Sequence, residues 1–269
     1  MQRVVLAVLL AHAAPALAHD TWLAARRAEV APGDEVRLDL TSGMRFPALE
    51  YAVRADRLAA AGFRAGGEAA VLAAPTPGPK ALTLTARPAR EGLAVGWIAL
   101  APRELSLEPR LVAEYLEEIG ETERAGRLWA ARPEPKRWRE TYRKHAKALL
   151  RVGTPADGDP TWREPVGLAL EIVPEPSVES LAKGGRVEVR VLKAGQPFAD
   201  FPVAAIAASG ARTLARTDAA GHVCFANAEE GPLLLAGTDL RLRDDGRWES
   251  DFSTLTLTVP VPASVPPTL

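Results

Sequence analysis

The sequence predicts an all-β protein, with two β-sandwich domains and a small helical insert between them. Runs that alternate apolar and polar residues occur towards both ends of the chain, and turn residues separate them. The 23 prolines among 269 residues argue against a mostly helical protein. We expect an N-terminal domain at 19–102, a helical insert at 103–152, a linker at 153–165, a C-terminal domain at 166–260 and a tail at 261–269.

The predicted N-terminal domain consists of short strands. A turn at 31–34 (APGD) precedes the alternating run at 35–40 (EVRLDL). The run at 81–86 (ALTLTA) alternates as a half-buried strand does, and 93–100 (LAVGWIAL) is a short apolar strand. Strands of this length between turns are typical of a β-sandwich.

The helical insert is marked by a change of period. Leu107, Leu111, Tyr115 and Ile119 recur at helical spacing, and Gly120 follows them as a stop signal. The same reasoning predicts further helices over 123–131 and 138–150.

The predicted helix at 138–150 is strongly basic. Its apolar residues share one side of a helix: Tyr142, Ala146, Leu149 and Leu150. The basic residues in and around it are Arg137, Arg139, Arg143, Lys144, Lys147 and Arg151. We interpret them as the solvated face of a helix that packs across the sandwiches. A docking surface for an anionic partner is the alternative.

The predicted C-terminal domain contains the most regular alternation, at 185–192 (GRVEVRVL). A G-x-P turn at 195–197 follows it, and a T-D-x-x-G turn at 217–221 precedes the short strand at 222–226. This order of strands and turns resembles transthyretin-like and collagen-adhesin-B-like sandwich modules. The resemblance implies a binding or spacer module rather than an enzyme.

The first 18 residues carry the parts of a secretory signal peptide. Arg3 gives a positive start, 4–10 is an unbroken apolar core, and 16–18 (ALA) is a small-x-small cleavage signal. We therefore expect cleavage after Ala18 and release into the periplasm.

A single cysteine, Cys224, excludes an intramolecular disulfide. Proteins in a harsh extracellular setting usually contain disulfides, so this usage fits the periplasm of a Gram-negative bacterium. After the signal, no apolar run reaches the length of about 18 residues that a membrane span needs, so we expect no transmembrane segment.

Charge and motifs narrow the classes of function. Lys and Arg number 33 against 34 Asp and Glu, which gives no electrostatic case for a nucleic-acid partner. The sequence has no G-x-S-x-G elbow, P-loop, H-E-x-x-H or Rossmann glycine pattern. We therefore predict that the protein is not an enzyme.

Cleavage after Ala18 would place His19 at a free amino terminus. Its α-amine and imidazole Nδ1 can then close a chelate ring on a metal, which is half of a copper-binding histidine brace. Nitrogen donors of this kind suit Cu(II), Ni(II) and Zn(II). Asp20 can add an oxygen ligand to the metal. Alternatively, its carboxylate is solvated or caps a helix.

A histidine brace needs a second imidazole, and the candidates are His145 and His222. Lys144 and Lys147 flank His145, and their positive charges weaken cation binding. The predicted metal site therefore comprises His19, Asp20, His145 and His222. Alternatively, each histidine is an exposed or hydrogen-bonded side chain that binds no metal.

An ordered set of motifs covers most of the mature chain. They are 19–23 (HDTWL), 31–34 (APGD), 114–120 (EYLEEIG), 146–153 (AKALLRVG), 167–174 (GLALEIVP), 216–221 (RTDAAG) and 248–256 (WESDFSTLT). The set resembles an exported bacterial family of unknown function, formerly described as the periplasmic component of a cobalt/nickel uptake transporter. The resemblance implies a periplasmic, two-part, β-rich protein. A metal-uptake role follows only from the old description. Such a role implies a metal transporter or another periplasmic or membrane protein as partner.

One position departs from the family pattern. Relatives have a histidine near residue 238, whereas this chain has Thr238 followed by Asp239. If that histidine is the second ligand in relatives, this chain lacks it; Asp239 can substitute as an oxygen ligand, which would alter the metal preference.

These observations favour a protein that binds or delivers Cu, Ni or Co through His19. The main alternative is a non-catalytic scaffold or binding module for a protein or a polysaccharide. A third hypothesis is a brace-type copper oxygenase, which requires a second histidine near the first.

Overall fold

The computed structural model describes residues 19–154, 159–178, 185–226 and 229–259. The predicted signal peptide at 1–18 and the predicted tail at 261–269 lie outside the described residues, as does part of the linker. Within these ranges the chain forms three β-sheets and two short α-helices. The predicted all-β class with a small helical insert is confirmed.

The elements follow one another along the chain in three groups. Ten strands come first: β1 (Asp20–Ala25), β2 (Glu29–Val30), β3 (Val36–Gly43), β4 (Tyr51–Ala52), β5 (Leu58–Ala65), β6 (Glu68–Ala69), β7 (Thr76–Pro77), β8 (Leu82–Ala86), β9 (Gly92–Leu100) and β10 (Arg103–Leu107). The helices are α1 (Val112–Glu118) and α2 (Arg124–Ala130). The remaining strands are β11 (Trp138–Val152), β12 (Leu170–Pro174), β13 (Arg186–Lys193), β14 (Gln196–Pro197), β15 (Pro202–Ala207), β16 (Arg212–Arg216), β17 (His222–Ala226), β18 (Gly231–Leu242) and β19 (Trp248–Val259).

A ten-stranded sheet forms the centre of the molecule. Its main order is β16-β15-β18-β19-β11-β9-β5-β6, and β10 and β2 also pair with β11. A five-stranded sheet contains β1, β3, β8, β7 and β4, and a four-stranded sheet contains β12, β13, β14 and β17. The central sheet takes strands from both predicted domains, and the division of the chain into two domains stays a prediction.

The predicted helix over 138–150 is wrong, because this segment is the 15-residue strand β11. β11 runs parallel to β19 over nine paired residues, 140–148, and antiparallel to β9 at its C-terminal end. A spacing of four residues is a multiple of the strand period of two, so Tyr142, Ala146 and Leu150 share one side in a strand as well as in a helix. The spacing alone did not distinguish the two structures.

The basic residues of this segment therefore do not form one solvated face. Side chains alternate sides along a strand, so Lys144 lies on one face of the central sheet and Arg143 and Lys147 lie on the other. Arg143 donates to Asp251 at 2.8 Å, and Lys147 is fully buried.

The two faces of the central sheet pack against the two smaller sheets. Leu150 and Ile98 pack on one face with Leu38 and Leu84 of the five-stranded sheet. On the opposite face, Val95, Leu149, Val203 and Leu235 pack against Ile172 and Val189 of the four-stranded sheet. The β-sandwich architecture thus arises from the alternation that the sequence displays.

The helical insert covers one end of the central sheet. Tyr115 of α1 packs in a third apolar cluster with Trp138, Trp248 and Phe252. Gly120 follows α1 with a φ of +73°, a conformation that favours glycine and ends the helix. In the part of the chain that the structure describes, neither helix has the length and apolar character that crossing a membrane requires.

Candidate functional site

His19 lines a cavity of about 290 Å³, which we call the N-terminal cleft. His19, Thr21 and Ser42 line it from the five-stranded sheet and the residue preceding β1. The central sheet contributes mainly cationic and aromatic residues, Arg103, Tyr142, Lys144 and Phe252, and Arg57 comes from the turn just before β5. The cleft therefore lies where the first strand crosses the central sheet.

The imidazole of His19 is partly buried and stacks on Tyr51, with ring centroids 5.5 Å apart and planes at 21°. Its pKa is lowered, chiefly by burial and then by the positive charge of Lys144, while Glu50 opposes the shift. A neutral imidazole is the form that binds a metal, so this environment favours the ligand form of His19 near neutral pH.

Lys144 holds the backbone of His19, because its Nζ donates a hydrogen bond to the His19 carbonyl oxygen. The ammonium also lies 5.2 Å from the ring centroid of Phe252 and 5.6 Å from that of Tyr142. Burial lowers the pKa of Lys144 to about 8, although the nearby charge of Asp20 opposes the shift. The strand β11 places this side chain on the cleft side of the central sheet.

Asp20 turns away from the cleft into a second, smaller cavity, whose lining includes Glu118, Arg212 and Thr238. Burial raises the pKa of Asp20, against the charges of Lys144 and Arg212. The pKa of Glu118 is raised to about 7, first by burial and then by Asp20. Two carboxyl groups therefore share this cavity, next to the positive charges of Lys144 and Arg212.

His145 lies on the other face of the central sheet from Lys144, as alternation along β11 requires. It is buried, and its Nε2 is 3.5 Å from Oδ1 of Asp251. Burial opposes ionisation of Asp251, yet His145 and hydrogen bonds from Arg241 and Arg143 hold the pKa of this carboxyl well below its usual range. His145 thus belongs to an ion-pair network on the side opposite His19.

His222 lies in a different sheet from His19. It begins β17 of the four-stranded sheet, is 49% exposed, and places Nε2 3.5 Å from Oε1 of Glu175. The structure therefore does not bring His145 or His222 to His19. Across the described ranges, no group of three or more His, Cys, Asp or Glu side chains is arranged to hold a metal ion.

Thr238 and Asp239 also occupy opposite faces of their strand. Thr238 lines the cavity of Asp20 and Glu118, whereas Asp239 forms ion pairs with Arg241 and, at 2.8 Å, with Lys193. Asp239 therefore does not join His19 as an oxygen ligand in the structure, because its carboxylate faces away from His19 and is held by two cations.

Sequence reasoning missed the cationic and aromatic wall of the cleft. Assigning 138–150 to a helix hid the alternation that places Tyr142 and Lys144 side by side. Arg57 and Phe252 come from strands and turns far apart in sequence, and no local signal brings them together. Glu118 was noted as part of a helix, but its burial beside Asp20 depends on how α1 packs.

A family model for DUF4198, a domain of unknown function, matches residues 16–237. The chain belongs to the DUF4198 family. The matched region contains His19 and the cleft residues as far as Lys144, and it ends before Phe252. Membership confirms the predicted likeness to a family of unknown function. Among curated proteins, no sequence matches this DUF4198 protein.

Solved structures resemble the chain only distantly. A tetra-tandem repeat in the extending region of a large adhesion protein is 12% identical, with a TM-score of 0.23, covering 89% of this chain and 49% of that one. The Yersinia pseudotuberculosis adhesin InvE is 12% identical with a TM-score of 0.22, covering 90% and 59%. The α-2-macroglobulin from Escherichia coli is 12% identical with a TM-score of 0.23, covering 91% and 16%. The chain thus spans about half the length of the first two, and scores this low define no shared fold.

Proposed function

We propose that this DUF4198 protein is an exported, non-catalytic protein that binds a transition metal through its mature N-terminal residue, His19. Cleavage after Ala18 frees the α-amine, which together with imidazole Nδ1 forms a bidentate nitrogen chelate. The observation that carries the proposal is the position of His19 in the lining of the N-terminal cleft, with an imidazole pKa below its ordinary value.

The surroundings of His19 support a fixed ligand rather than a frayed terminus. Lys144 holds its carbonyl oxygen and Tyr51 stacks on its ring. The ring has no hydrogen-bond partner among the residues that the structure describes, so its nitrogens are not committed to another described group. The negative charge of Glu50, which raises the imidazole pKa, partly offsets the positive charge of Lys144.

The donor set determines which metal we expect. A two-histidine brace does not fit the described residues, since His145 and His222 lie elsewhere and position 238 is a threonine. An amine and one imidazole follow the general order of affinity for divalent metals, in which Cu(II) exceeds Ni(II) and Ni(II) exceeds Co(II). We therefore propose that the site binds Cu(II) most tightly, and Ni(II) and Co(II) more weakly.

A site with two protein donors leaves the other coordination positions open. An open site suits capture and release of a metal, and we propose that the partner is a metal transporter or another periplasmic or membrane protein. If the protein binds no metal, the alternative is a non-catalytic module that recognises a protein or a polysaccharide.

The experiment begins with the intact mass of the exported protein, followed by calorimetric titration of the same sample with Cu(II) and Ni(II). We expect a mass that starts at His19 and one tight equivalent of Cu(II). His19→Ala should weaken Cu(II) binding by more than about tenfold, or about 1.4 kcal/mol, whereas the matched control His222→Ala should not. A different mature start, or equal loss in both variants, would contradict the proposal.

A further inference from the structure

We infer that the N-terminal cleft is also a binding site for a small organic anion, a carboxylate attached to a short apolar or aromatic body. This site is distinct from the proposed chelate of His19 and does not require a metal. The cleft combines fixed positive charges with an apolar wall, in a cavity of about 290 Å³. That volume is at the lower end of the range for small-molecule sites.

The positive charges in the cleft lack direct carboxylate partners. Neither Arg57, Arg103 nor Lys144 forms a salt bridge with any residue that the structure describes. Arg54 at the rim is different, because its Nη2 lies 2.6 Å from Asp56. Arginines elsewhere are commonly paired, as Arg26 is with Asp39 at 2.7 Å. The cleft thus concentrates cations whose charge an incoming anion would neutralise.

The charged groups are held in place before any ligand arrives. Arg57 donates from Nη2 to the carbonyl of Ala101 at 2.7 Å, and its guanidinium lies 5.7 Å from the ring centroid of Tyr142. Lys144 is fixed by the carbonyl of His19 and by the ring of Phe252. Side chains that are already ordered lose little entropy when a ligand binds, which favours affinity.

The remaining wall of the cleft is apolar. Tyr142 and Phe252 pack edge to face with ring centroids 6.2 Å apart. Val53, Leu100 and Leu105 complete this wall. An inorganic anion would leave the apolar surface unused, whereas a carboxylate with an aromatic or branched aliphatic body contacts both the cations and the wall. The chemistry of the cleft therefore specifies an amphipathic anion.

The test uses metal-free protein that starts at His19, after treatment with a chelator and dialysis. Benzoate is the probe and benzamide is its uncharged isostere, and binding of each is measured by calorimetry and ligand-observed NMR. We expect benzoate to bind at least about tenfold more tightly than benzamide, because only benzoate neutralises the cations. Inorganic phosphate should compete poorly, since it has no apolar body.

Variants locate the site. Arg57→Gln and Lys144→Met should each weaken benzoate binding by about tenfold, the effect expected from losing a charge-assisted contact. The matched control is Arg137→Gln, which removes an exposed positive charge that does not line the cleft and should leave binding unchanged. Because Lys144 also packs within the fold, Arg103→Gln serves as an exposed cleft variant that does not risk folding.

The outcomes separate this site from the proposed metal site. Equal affinity for benzoate and benzamide, no detectable benzoate binding, or unchanged binding in both Arg57→Gln and Arg103→Gln would overturn the inference. Acetylation of the His19 α-amine removes that nitrogen from the chelate but keeps every cleft side chain. We expect the acetylated protein to lose Cu(II) affinity and to retain benzoate affinity, so either proposal can fail without the other.

Discussion

The ammonium of Lys144 on β11 donates a hydrogen bond to the backbone carbonyl of His19, 125 residues earlier in the chain. This contact ties the residue that precedes β1 to the central sheet. It also places a positive charge beside the His19 imidazole and contributes to the lowering of its pKa. The properties of the predicted mature terminus therefore depend on a residue from the middle of the sequence.

Replacing Lys144 should raise the pKa of His19. In Lys144→Met the positive charge is absent while most of the burial remains, so we expect the imidazole to titrate closer to its ordinary value of 6.5. Titration of the His19 ring by NMR measures the change. Lys80→Met, which removes an exposed lysine, should leave the titration unchanged. An identical His19 pKa in wild type and Lys144→Met would contradict the electrostatic role of Lys144.

Glu118 makes the stability of the fold depend on pH. Its pKa rises from 4.5 to about 7 on folding, so the folded state binds more protons than the unfolded state between these values. Its contribution to stability is therefore fully present below pH 4.5 and is lost as the pH rises towards 7. We expect Glu118→Gln to melt above wild type at pH 8 and at the same temperature at pH 4.

Calorimetric melting at both pH values tests this prediction. Glu117→Gln is the control, since Glu117 is an exposed neighbour on the same helix. If the melting temperatures of Glu118→Gln and wild type differ by the same amount at pH 4 and pH 8, then burial of a charged Glu118 is not the cause of that difference.

The ion pair between Lys147 and Glu171 is the most deeply buried in the described part of the chain. Lys147 Nζ is 2.7 Å from Glu171 Oε1, and the side chains are 0% and 1% exposed. Glu171 also accepts hydrogen bonds from the backbone N–H groups of Val166, Gly167 and Leu168. Glu171→Gln leaves a buried cation without its counter-charge, which costs about 3 to 5 kcal/mol.

Urea unfolding at neutral pH measures this loss. The matched control is Asp56→Asn, which breaks the exposed pair with Arg54 and should leave the free energy of unfolding unchanged within error. The double variant Lys147→Met, Glu171→Gln should recover part of the stability, because no buried charge then remains. A double variant as unstable as the sum of the single variants would argue against the pair.

The fold class could be predicted from the sequence because half-buried β-strands show a local alternation of apolar and polar residues. The run at 81–86 became β8 and the run at 185–192 became β13 within two residues at each end. The same method wrongly predicted a helix at 138–150, since spacings of four residues fit both the helical period and the strand period. Pairing of β11 with β19 is a long-range event between segments about 100 residues apart, and no local pattern contains it.

The candidate site was predictable only in part. The signal-like segment before His19 made this residue the first candidate for a ligand, and the structure places it in the lining of the cleft. The second ligand was not predictable, because His145 and Lys144 are neighbours in sequence but occupy opposite faces of one strand. Arg57 and Phe252 reach the cleft through packing of the sheets, which composition and spacing do not specify.

The most direct test of the proposed metal site is Cu(II) titration of two proteins that differ only at the α-amine of His19. One protein starts at His19 with a free amine, and in the other this amine is acetylated, which preserves the imidazole and blocks only the amine. We predict one tight equivalent for the first protein and an affinity at least about tenfold weaker for the second. Equal Cu(II) affinity in the two proteins would show that the α-amine of His19 is not a ligand and would contradict the account.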